Sequence, residues 1–123
     1  MPKKILFVED EPELVKALEV RFRSQGYDIV TAMDGEEGLR KAREEDPDLI
    51  VLDIMLPKMD GYKVSRLLKF DEKRKNIPII MLTAKAEETD RVTGEETGGD
   101  EYITKPFEWE YLLEKVKEHL GQE

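Results

Sequence analysis

Acidic, hydroxyl and basic side chains follow short apolar segments at four places in the chain. The apolar segments are residues 5–8, 49–52, 79–82 and 102–103. Short apolar runs of this kind are typical of buried strands, and the carboxyl ends of parallel strands lie at one edge of a sheet. We therefore expect the side chains that follow them to surround one pocket: Glu9, Asp10, Asp53, Thr83 and Lys105.

This set of side chains predicts phosphoryl chemistry. Carboxylates packed together raise one another's pKa unless a cation lies among them, and a hard divalent ion, Mg²⁺ for preference, suits oxygen ligands. A carboxylate nucleophile beside Mg²⁺ is one route to an aspartyl phosphate, and an ammonium group can hold a phosphoryl oxygen. We predict that Asp53 accepts a phosphoryl group while Lys105 neutralises it.

Simpler interpretations of the same residues remain open at this point. The acids could be solvated loop residues. Lys105 could form a plain salt bridge with them. A separate feature of Lys105 is that it precedes Pro106, so the peptide bond between the two residues can be cis and would then fix the direction of the ammonium group. Thr83 could be an ordinary strand residue.

The elements that position these residues alternate between strand and helix, which indicates a parallel α/β sheet. Strands are predicted at residues 3–8, 27–32, 49–52, 77–82 and 101–103. Helices are predicted near residues 13–25, from Asp34 to before Pro47, after Asp60, at 87–98 and from Trp109 to the end. The prediction is a doubly wound five-stranded sheet in the order 2-1-3-4-5 with five helices, whose ligand crevice lies between strands one and three.

Particular residues mark the helix ends. Pro12 suits a first helical position, and Gly26 suits the residue after a helix. Asp34 with Glu37 three residues later resembles a capping box, and Asp60 can cap the third helix. The helix predicted at residues 87–98 has almost no apolar anchor, so we expect it to be the weakest element.

Composition narrows the class of protein. The chain has 123 residues, which we assign to one domain, 1–123, and its net charge of −9 argues against direct binding to nucleic acid or to an anionic membrane. It has no cysteine. We find no apolar run long enough for a signal peptide, and no run approaches the ~20 apolar residues that a membrane span needs. A cytoplasmic location follows by elimination. The single histidine, His119, is predicted to lie on the surface away from the pocket.

The motifs together are similar to those of a known family. They comprise residues 5–11, 48–57 with Asp60 and Gly61, 82–85 and 98–107. The chain resembles, over essentially its whole length, a response-regulator receiver domain of two-component signalling, with a CheY-like (flavodoxin-like) fold.

The resemblance implies a role for each residue of the pocket. It implies that the phosphohistidine of a sensor kinase phosphorylates Asp53, and that Mg²⁺ lies among Glu9, Asp10, Asp53 and the backbone carbonyl of Met55. Three further roles are implied in the same way: Thr83 moves onto the phosphoryl group, Tyr102 turns inward behind it, and Lys105 clamps it.

The resemblance also implies what the domain does with other proteins. It would act mainly as a signalling switch that catalyses only its own phosphorylation and slow dephosphorylation. A sensor histidine kinase or phosphotransfer protein would supply the phosphoryl group. The face formed by the fourth helix, fifth strand and fifth helix would change its affinity for an unidentified downstream protein, as a monomer or as a phosphorylation-dependent dimer. The chain would act through another protein, pass its phosphoryl group onward, or be part of a longer regulator.

Three other classes of protein share part of this pattern. A Mg²⁺-dependent phosphohydrolase would use Asp53 as nucleophile, but such enzymes commonly need a second acid where Met55 stands. A flavodoxin-like cofactor binder is disfavoured by the acids after strand one, which repel a phosphate. A receiver-shaped interaction module that is never phosphorylated would show no response to Mg²⁺ and a phosphodonor.

Overall fold

The computed structural model describes residues 2–84 and 99–122. Its elements in chain order are β1 (Lys4–Val8), α1 (Pro12–Ser24), β2 (Asp28–Ala32), α2 (Gly35–Glu45), β3 (Leu49–Asp53), α3 (Gly61–Lys69), β4 (Ile79–Thr83), β5 (Glu101–Thr104) and α4 (Trp109–Leu120). Four helices therefore lie within the described residues. The helix predicted at residues 87–98 lies outside them, and the helix predicted as the fifth is α4.

The five strands form one parallel sheet in the order β2-β1-β3-β4-β5, which confirms the predicted topology. The register places the ends of the strands side by side. Val8 is opposite Leu52, Asp53 is opposite Leu82, and Thr83 is opposite Thr104. The residues that follow these positions are therefore brought to one edge of the sheet.

Each face of the sheet carries its own apolar core, because side chains alternate between the two faces of a strand. On one face, Ile5 and Phe7 of β1 pack with Phe22 of α1 and with Leu112 and Val116 of α4. The residues between them face the other way. Leu6 and Val8 pack with Leu39 of α2 and with Val64 and Leu68 of α3. We call the first group the α1/α4 core and the second the α2/α3 core.

The helix ends follow the sequence signals closely. Pro12 begins α1, and Gly26 has a φ of 91°, a left-handed conformation that glycine adopts without strain. The Asp34 side chain accepts a hydrogen bond from the Glu37 backbone N–H at 2.8 Å. In the same way, Asp60 caps α3 by accepting from the Lys63 N–H at 2.9 Å. Both predicted caps are therefore confirmed.

Asp100 joins β5 to the beginning of β4 through two hydrogen bonds. Its backbone N–H donates to the Ile79 carbonyl at 2.9 Å, and its Oδ2 accepts from the Ile79 N–H at 2.8 Å. Lys69 at the end of α3 adds an ion pair to the same carboxylate at 3.3 Å. The backbone before β5 is thus held directly against β4.

No helix in the described ranges is both long and apolar enough to cross a membrane.

Candidate functional site: a carboxylate cluster at the carboxyl edge of the sheet

Three carboxylates meet where β1 and β3 end. Glu9, Asp10 and Asp53 each offer an oxygen atom, and these oxygens lie within 4.8 Å of one another. Glu9 and Asp53 are buried, with 1% and 5% of their surface exposed, whereas Asp10 is exposed. The predicted convergence of the acids is therefore present, and its open side lies at Asp10.

Backbone hydrogen bonds fix the two buried acids. The Glu9 N–H donates to the Ala32 carbonyl at 3.0 Å, which extends the β1–β2 pairing by one residue. The Glu9 Oε2 accepts from the Glu11 N–H at 3.1 Å. Similarly, Asp53 Oδ1 accepts from the Met55 N–H at 3.1 Å. Each carboxylate is thereby held by the turn that follows its own strand.

Lys105 bridges the two buried acids. Its Nζ lies 2.6 Å from Glu9 Oε1 and 3.1 Å from Asp53 Oδ2. The Lys105 backbone N–H donates to the Thr83 carbonyl, which ties the residue after β5 to the end of β4. The structure therefore contains the salt bridge between Lys105 and the acids that the sequence left open as a simpler interpretation. The Lys105–Pro106 peptide bond is cis.

Burial dominates the ionisation of Glu9. Desolvation raises the pKa of Glu9 from 4.5 to about 7, with a further contribution from the Asp53 charge, although the Lys105 hydrogen bond acts in the opposite direction. For Lys105, burial acts to lower the pKa, but hydrogen bonds to Glu9 and Asp53 outweigh it and raise the pKa above its ordinary value. Lys105 is therefore protonated at neutral pH, whereas the pKa of Glu9 lies close to neutral pH.

This donor set fits a divalent metal ion. All three donors are carboxylates, which are hard oxygen ligands of the type that Mg²⁺ takes. Burial is the main cause of the raised pKa of Glu9, and a divalent cation among the carboxylates would favour their charged forms. The residues present therefore suit a cation with more than one positive charge.

The remaining predicted residues lie around this cluster. Thr83 ends β4 and is 2% exposed, one position beyond Leu82, which is opposite Asp53. Met55 is exposed and contacts Asp53 through its backbone N–H. Tyr102 is set back from the edge, opposite Met81, and its half-buried ring packs against the α2/α3 core.

His119 lies beside the opposite end of the sheet, as expected, but it is half-buried rather than fully on the surface. Its Nε2 lies 3.1 Å from the carboxylate of Glu101, the first residue of β5. This contact joins the last turn of α4 to the beginning of β5. It leaves His119 at the amino end of β5, away from the carboxylates.

Two glycines that contribute no side chain shape the loop beyond Asp53. A Cβ at Gly61 would collide with the Asp53 backbone carbonyl, and one at Gly35 would collide with the Met59 carbonyl. The Gly35 N–H also donates to the Pro57 carbonyl at 3.2 Å. The loop after β3 is therefore packed closely against the beginnings of α2 and α3. The sequence carries a signal for this, since both helices begin with Asp-Gly, at Asp34 and at Asp60.

Comparison with known proteins identifies the family to which this site belongs. The family model described as "Response regulator receiver domain" matches residues 5–117. The chain belongs to this family. The receiver is 51% identical over 117 residues to the alkaline phosphatase synthesis transcriptional regulatory protein PhoP of Bacillus subtilis, a match that covers 95% of this chain and 48% of that protein. The chain thus spans about half the length of the curated relatives it matches.

Solved structures agree with the fold of this receiver. The response regulator TrrA of Thermotoga maritima, in complex with Mg²⁺-BeF, has a TM-score of 0.86 at 37% identity, covering 96% of this chain and 99% of that one. The receiver domain of a sensor histidine kinase from Pseudomonas aeruginosa has a TM-score of 0.89 at 34% identity, covering 98% and 99%. That structure holds a magnesium ion in its active site cleft.

Proposed function

We propose that this receiver accepts a phosphoryl group on Asp53 from the phosphohistidine of a sensor kinase, in a reaction that requires Mg²⁺. The observation that carries the proposal is the environment of the Asp53 carboxylate. One oxygen is held by the Met55 N–H, the other contacts Lys105, and the oxygens of Glu9 and Asp10 lie close by. Membership of the receiver family supports the same assignment.

The reaction follows from these positions. An Asp53 oxygen attacks the phosphorus in line, the new O–P bond forms, and the bond to the donor breaks with its electron pair leaving on the donor. A histidine donor leaves as imidazole and acetyl phosphate leaves as acetate. Lys105 already touches Asp53, so it can move with little displacement onto a phosphoryl oxygen.

We assign the metal ligands to Glu9, Asp10, Asp53 and the backbone carbonyl of Met55. Bound Mg²⁺ would supply positive charge that offsets both the carboxylates and the equatorial phosphoryl oxygens. Glu9 and Asp53 are held rigidly by backbone hydrogen bonds, whereas exposed Asp10 is free to adjust its side chain to the ion.

Phosphorylation would be transmitted through Thr83 and Tyr102. The phosphoryl group adds charge and acceptor oxygens, which draw the Thr83 hydroxyl towards Asp53. Tyr102 then turns into the space behind Thr83, and the face that includes β5 and α4 changes its affinity for a downstream protein. The helix predicted at residues 87–98 belongs to the same proposed face.

We further propose that residues 1–123 form a single receiver domain that acts in the cytoplasm and regulates transcription through another module or protein. The names of the PhoP and ycf27 relatives support this output. The net charge of −9 supports the proposal that any contact with DNA is made by that partner rather than by the receiver. Light scattering with and without phosphodonor distinguishes a constant monomer from phosphorylation-dependent dimerisation.

Intact-mass measurement tests the proposal. The protein is incubated with acetyl phosphate and Mg²⁺, alongside Asp53→Asn and a matched control, Asp60→Asn, which removes a nearby carboxylate but retains a capping side chain. We expect one added phosphoryl group in the parent and in Asp60→Asn, and none in Asp53→Asn or without Mg²⁺.

The absence of an adduct has a second check. Rapid hydrolysis would also remove the group, so beryllofluoride binding is measured in parallel by a method that does not depend on turnover. A parent protein that neither forms the adduct nor binds beryllofluoride would contradict the proposal and favour the unphosphorylated interaction module.

A further inference from the structure

The outer side of α3 carries two basic side chains and one aromatic side chain in a row. Lys63, Arg66 and Phe70 are all exposed. On the opposite side of the helix, Val64 and Leu68 are buried in the α2/α3 core. Helical geometry continues through Phe70, because its N–H donates to the Arg66 carbonyl at 3.2 Å. Since residues three and four positions apart are neighbours on a helix surface, the three side chains form one continuous surface, which we call the α3 face.

Phe70 is the most exposed large apolar residue in the described ranges, at 80%. A single exposed apolar residue is common on protein surfaces and by itself indicates nothing. Here, however, the ring lies next to an arginine on the same helix face, and aromatic residues and Arg are enriched where proteins bind one another. The composition of the α3 face is therefore typical of a protein interface.

The two basic residues of the α3 face have no ion-pair partner within the part of the chain that the structure describes. Other bases nearby are paired: Lys69 contacts the carboxylate of Asp100 at 3.3 Å, and Lys75 contacts that of Glu72 at 2.9 Å. Acids outnumber bases in the chain by 29 to 20, yet α3 itself contains no acid. The charges of the α3 face thus remain available to a partner.

Lys63 lies at a helix position that favours an acid. It is the third residue of α3, and its N–H donates to the capping side chain of Asp60. Because the amino end of a helix carries partial positive charge, a lysine in the first turn is less favourable than a glutamate. The equivalent position of α2 holds Glu37, whose carboxylate accepts a hydrogen bond from the Met33 N–H at 2.7 Å. The charge of Lys63 therefore contributes nothing favourable to the helix end, which supports a role in binding.

The chemistry of the α3 face complements a partner that is acidic and partly apolar. The net charge of −9 disfavours a second copy of the chain and a nucleic acid, because both carry negative charge spread over their surfaces. An acidic segment of a different protein avoids this repulsion, because the rest of that protein need not be negative. We propose that the α3 face binds such a segment, whose carboxylates pair with Lys63 and Arg66 and whose apolar side chain covers Phe70.

This binding surface is separate from the site and the face described above. α3 packs on one side of the sheet and α4 on the other, so a partner on the α3 face leaves α4 uncovered. None of the three residues belongs to the carboxylate cluster. The inference therefore does not rest on the phosphorylation of Asp53.

NMR of the ¹⁵N-labelled protein tests the proposal with a synthetic helical peptide that presents glutamates and a leucine on one face. We expect this acidic peptide to shift the backbone resonances of α3 and to leave those of α1 and α4 in place. A matched peptide with glutamine in place of each glutamate should bind much more weakly. Added salt should weaken the binding of the acidic peptide, because the paired charges are exposed.

Substitutions separate the α3 face from the charge of the whole chain. Arg66→Glu and Phe70→Ser should each raise the Kd of the acidic peptide by ~10-fold or more. Lys16→Glu is the matched control, because it makes the same change in net charge as Arg66→Glu on the exposed surface of α1, and its Kd should hardly change. Arg66→Gln removes the charge without reversing it, and it keeps the test decisive if Arg66→Glu folds poorly.

Lys63→Glu should have opposite effects on stability and on binding. A glutamate in the first turn interacts favourably with the helix dipole, so the urea midpoint should rise. The same substitution should weaken the binding of the acidic peptide. A fall in the midpoint would show that Lys63 supports the helix, and would contradict the inference.

Several outcomes would overturn the inference. Unchanged α3 resonances at the highest soluble concentration of the acidic peptide would refute it directly. An equal loss of affinity in Lys16→Glu would show that the peptide responds to the charge of the whole chain. Self-association in analytical ultracentrifugation that Arg66→Glu abolishes would assign the face to a second copy, and equally tight binding of a random DNA duplex would assign it to phosphate. Because none of these measurements uses Mg²⁺ or a phosphodonor, a failure of the proposed function would leave them unaffected.

Discussion

Replacing Glu9 with glutamine is expected to stabilise the metal-free protein above neutral pH. Glu9 is 1% exposed, and burial is the main reason that its pKa rises to about 7. A deprotonated Glu9 is therefore a cost to folding that the contact with Lys105 does not fully offset. Glutamine is the nearest neutral analogue of the protonated side chain and avoids that cost.

The magnitude follows from the difference between the two pKa values. Between 4.5 and about 7 the folded state binds the proton that the unfolded state has lost, so the free energy of unfolding falls as pH rises through this interval. At about 1.4 kcal/mol per pH unit, the full loss is about 3 kcal/mol above pH 7. The advantage of Glu9→Gln should therefore be near zero below pH 4.5 and should reach about 3 kcal/mol above pH 7.

Urea unfolding of both proteins at about pH 4.5, 6 and 8.5, in chelator, measures this difference. Repeating the series with Mg²⁺ provides the control, since a cation among the carboxylates should stabilise the parent much more than the variant. A stability difference of the same size at every pH would refute the reasoning, as would an advantage of Glu9→Gln that grows on acidification.

Three further predictions concern the loop, the bridge and a helix end. Gly61→Ala should lower the free energy of unfolding by more than ~2 kcal/mol, because the added Cβ meets the backbone of Asp53. The control Gly26→Ala, whose Cβ meets no atom, should lose only ~1 kcal/mol because of its positive φ. Equal losses of the two variants in urea unfolding would contradict this prediction. Lys105→Met should bind Mg²⁺ more tightly in calorimetry, because it removes a cation that competes with the metal for the carboxylates. It should form the phosphoryl adduct on Asp53 more slowly, because the same cation assists phosphoryl transfer. Weaker Mg²⁺ binding would argue against the bridge between Lys105 and the two acids. Arg74→Met should lower the free energy of unfolding in urea by ~1–2 kcal/mol, because the guanidinium donates a hydrogen bond of 2.6 Å to the Arg43 carbonyl in the last turn of α2. The control is Arg66→Met, on the exposed side of α3, whose free energy of unfolding should hardly change.

The sheet and its edge were predictable because their signals are local. Apolar runs and the signals at Pro12, Gly26, Asp34 and Asp60 define the elements of the described residues. The observed bounds lie within two residues of the predicted ones, except that α4 ends at Leu120 rather than at the end of the chain. The parallel arrangement then brings the strand ends together by geometry alone. This is why Asp53 could be associated with other acids before any contact was known.

The unequal roles of Glu9 and Asp10 could not be read from the sequence. Two adjacent acids after a strand look alike in a sequence. In the structure, the bond from the Glu9 N–H to the Ala32 carbonyl extends the strand pairing through the first acid, whereas the second reaches solvent. The contacts of Lys105 likewise depend on the register of β4 with β5. Both facts arise from pairing between distant segments, which local patterns do not encode.

The close approach of the Met81 and Tyr102 side chains to Gly99 was also hidden, because it depends on side chains from two strands and on the backbone position that Asp100 imposes. Predicting it requires knowing that Met81 lies opposite Tyr102. A glycine in a turn before a strand has many ordinary explanations, and none of them points to a neighbouring ring.

The bonds from Asp100 to Ile79 allow different parts of this protein to evolve at different rates. Asp100 registers β5 on β4 with one side chain and its own backbone, at the end of the strands that lies away from the carboxylates. Substitutions on the exposed surface of α4 that leave Asp100 in place can therefore alter partner choice while the phosphoacceptor edge retains its geometry. A lineage could in this way acquire a new output without first losing its response to the kinase.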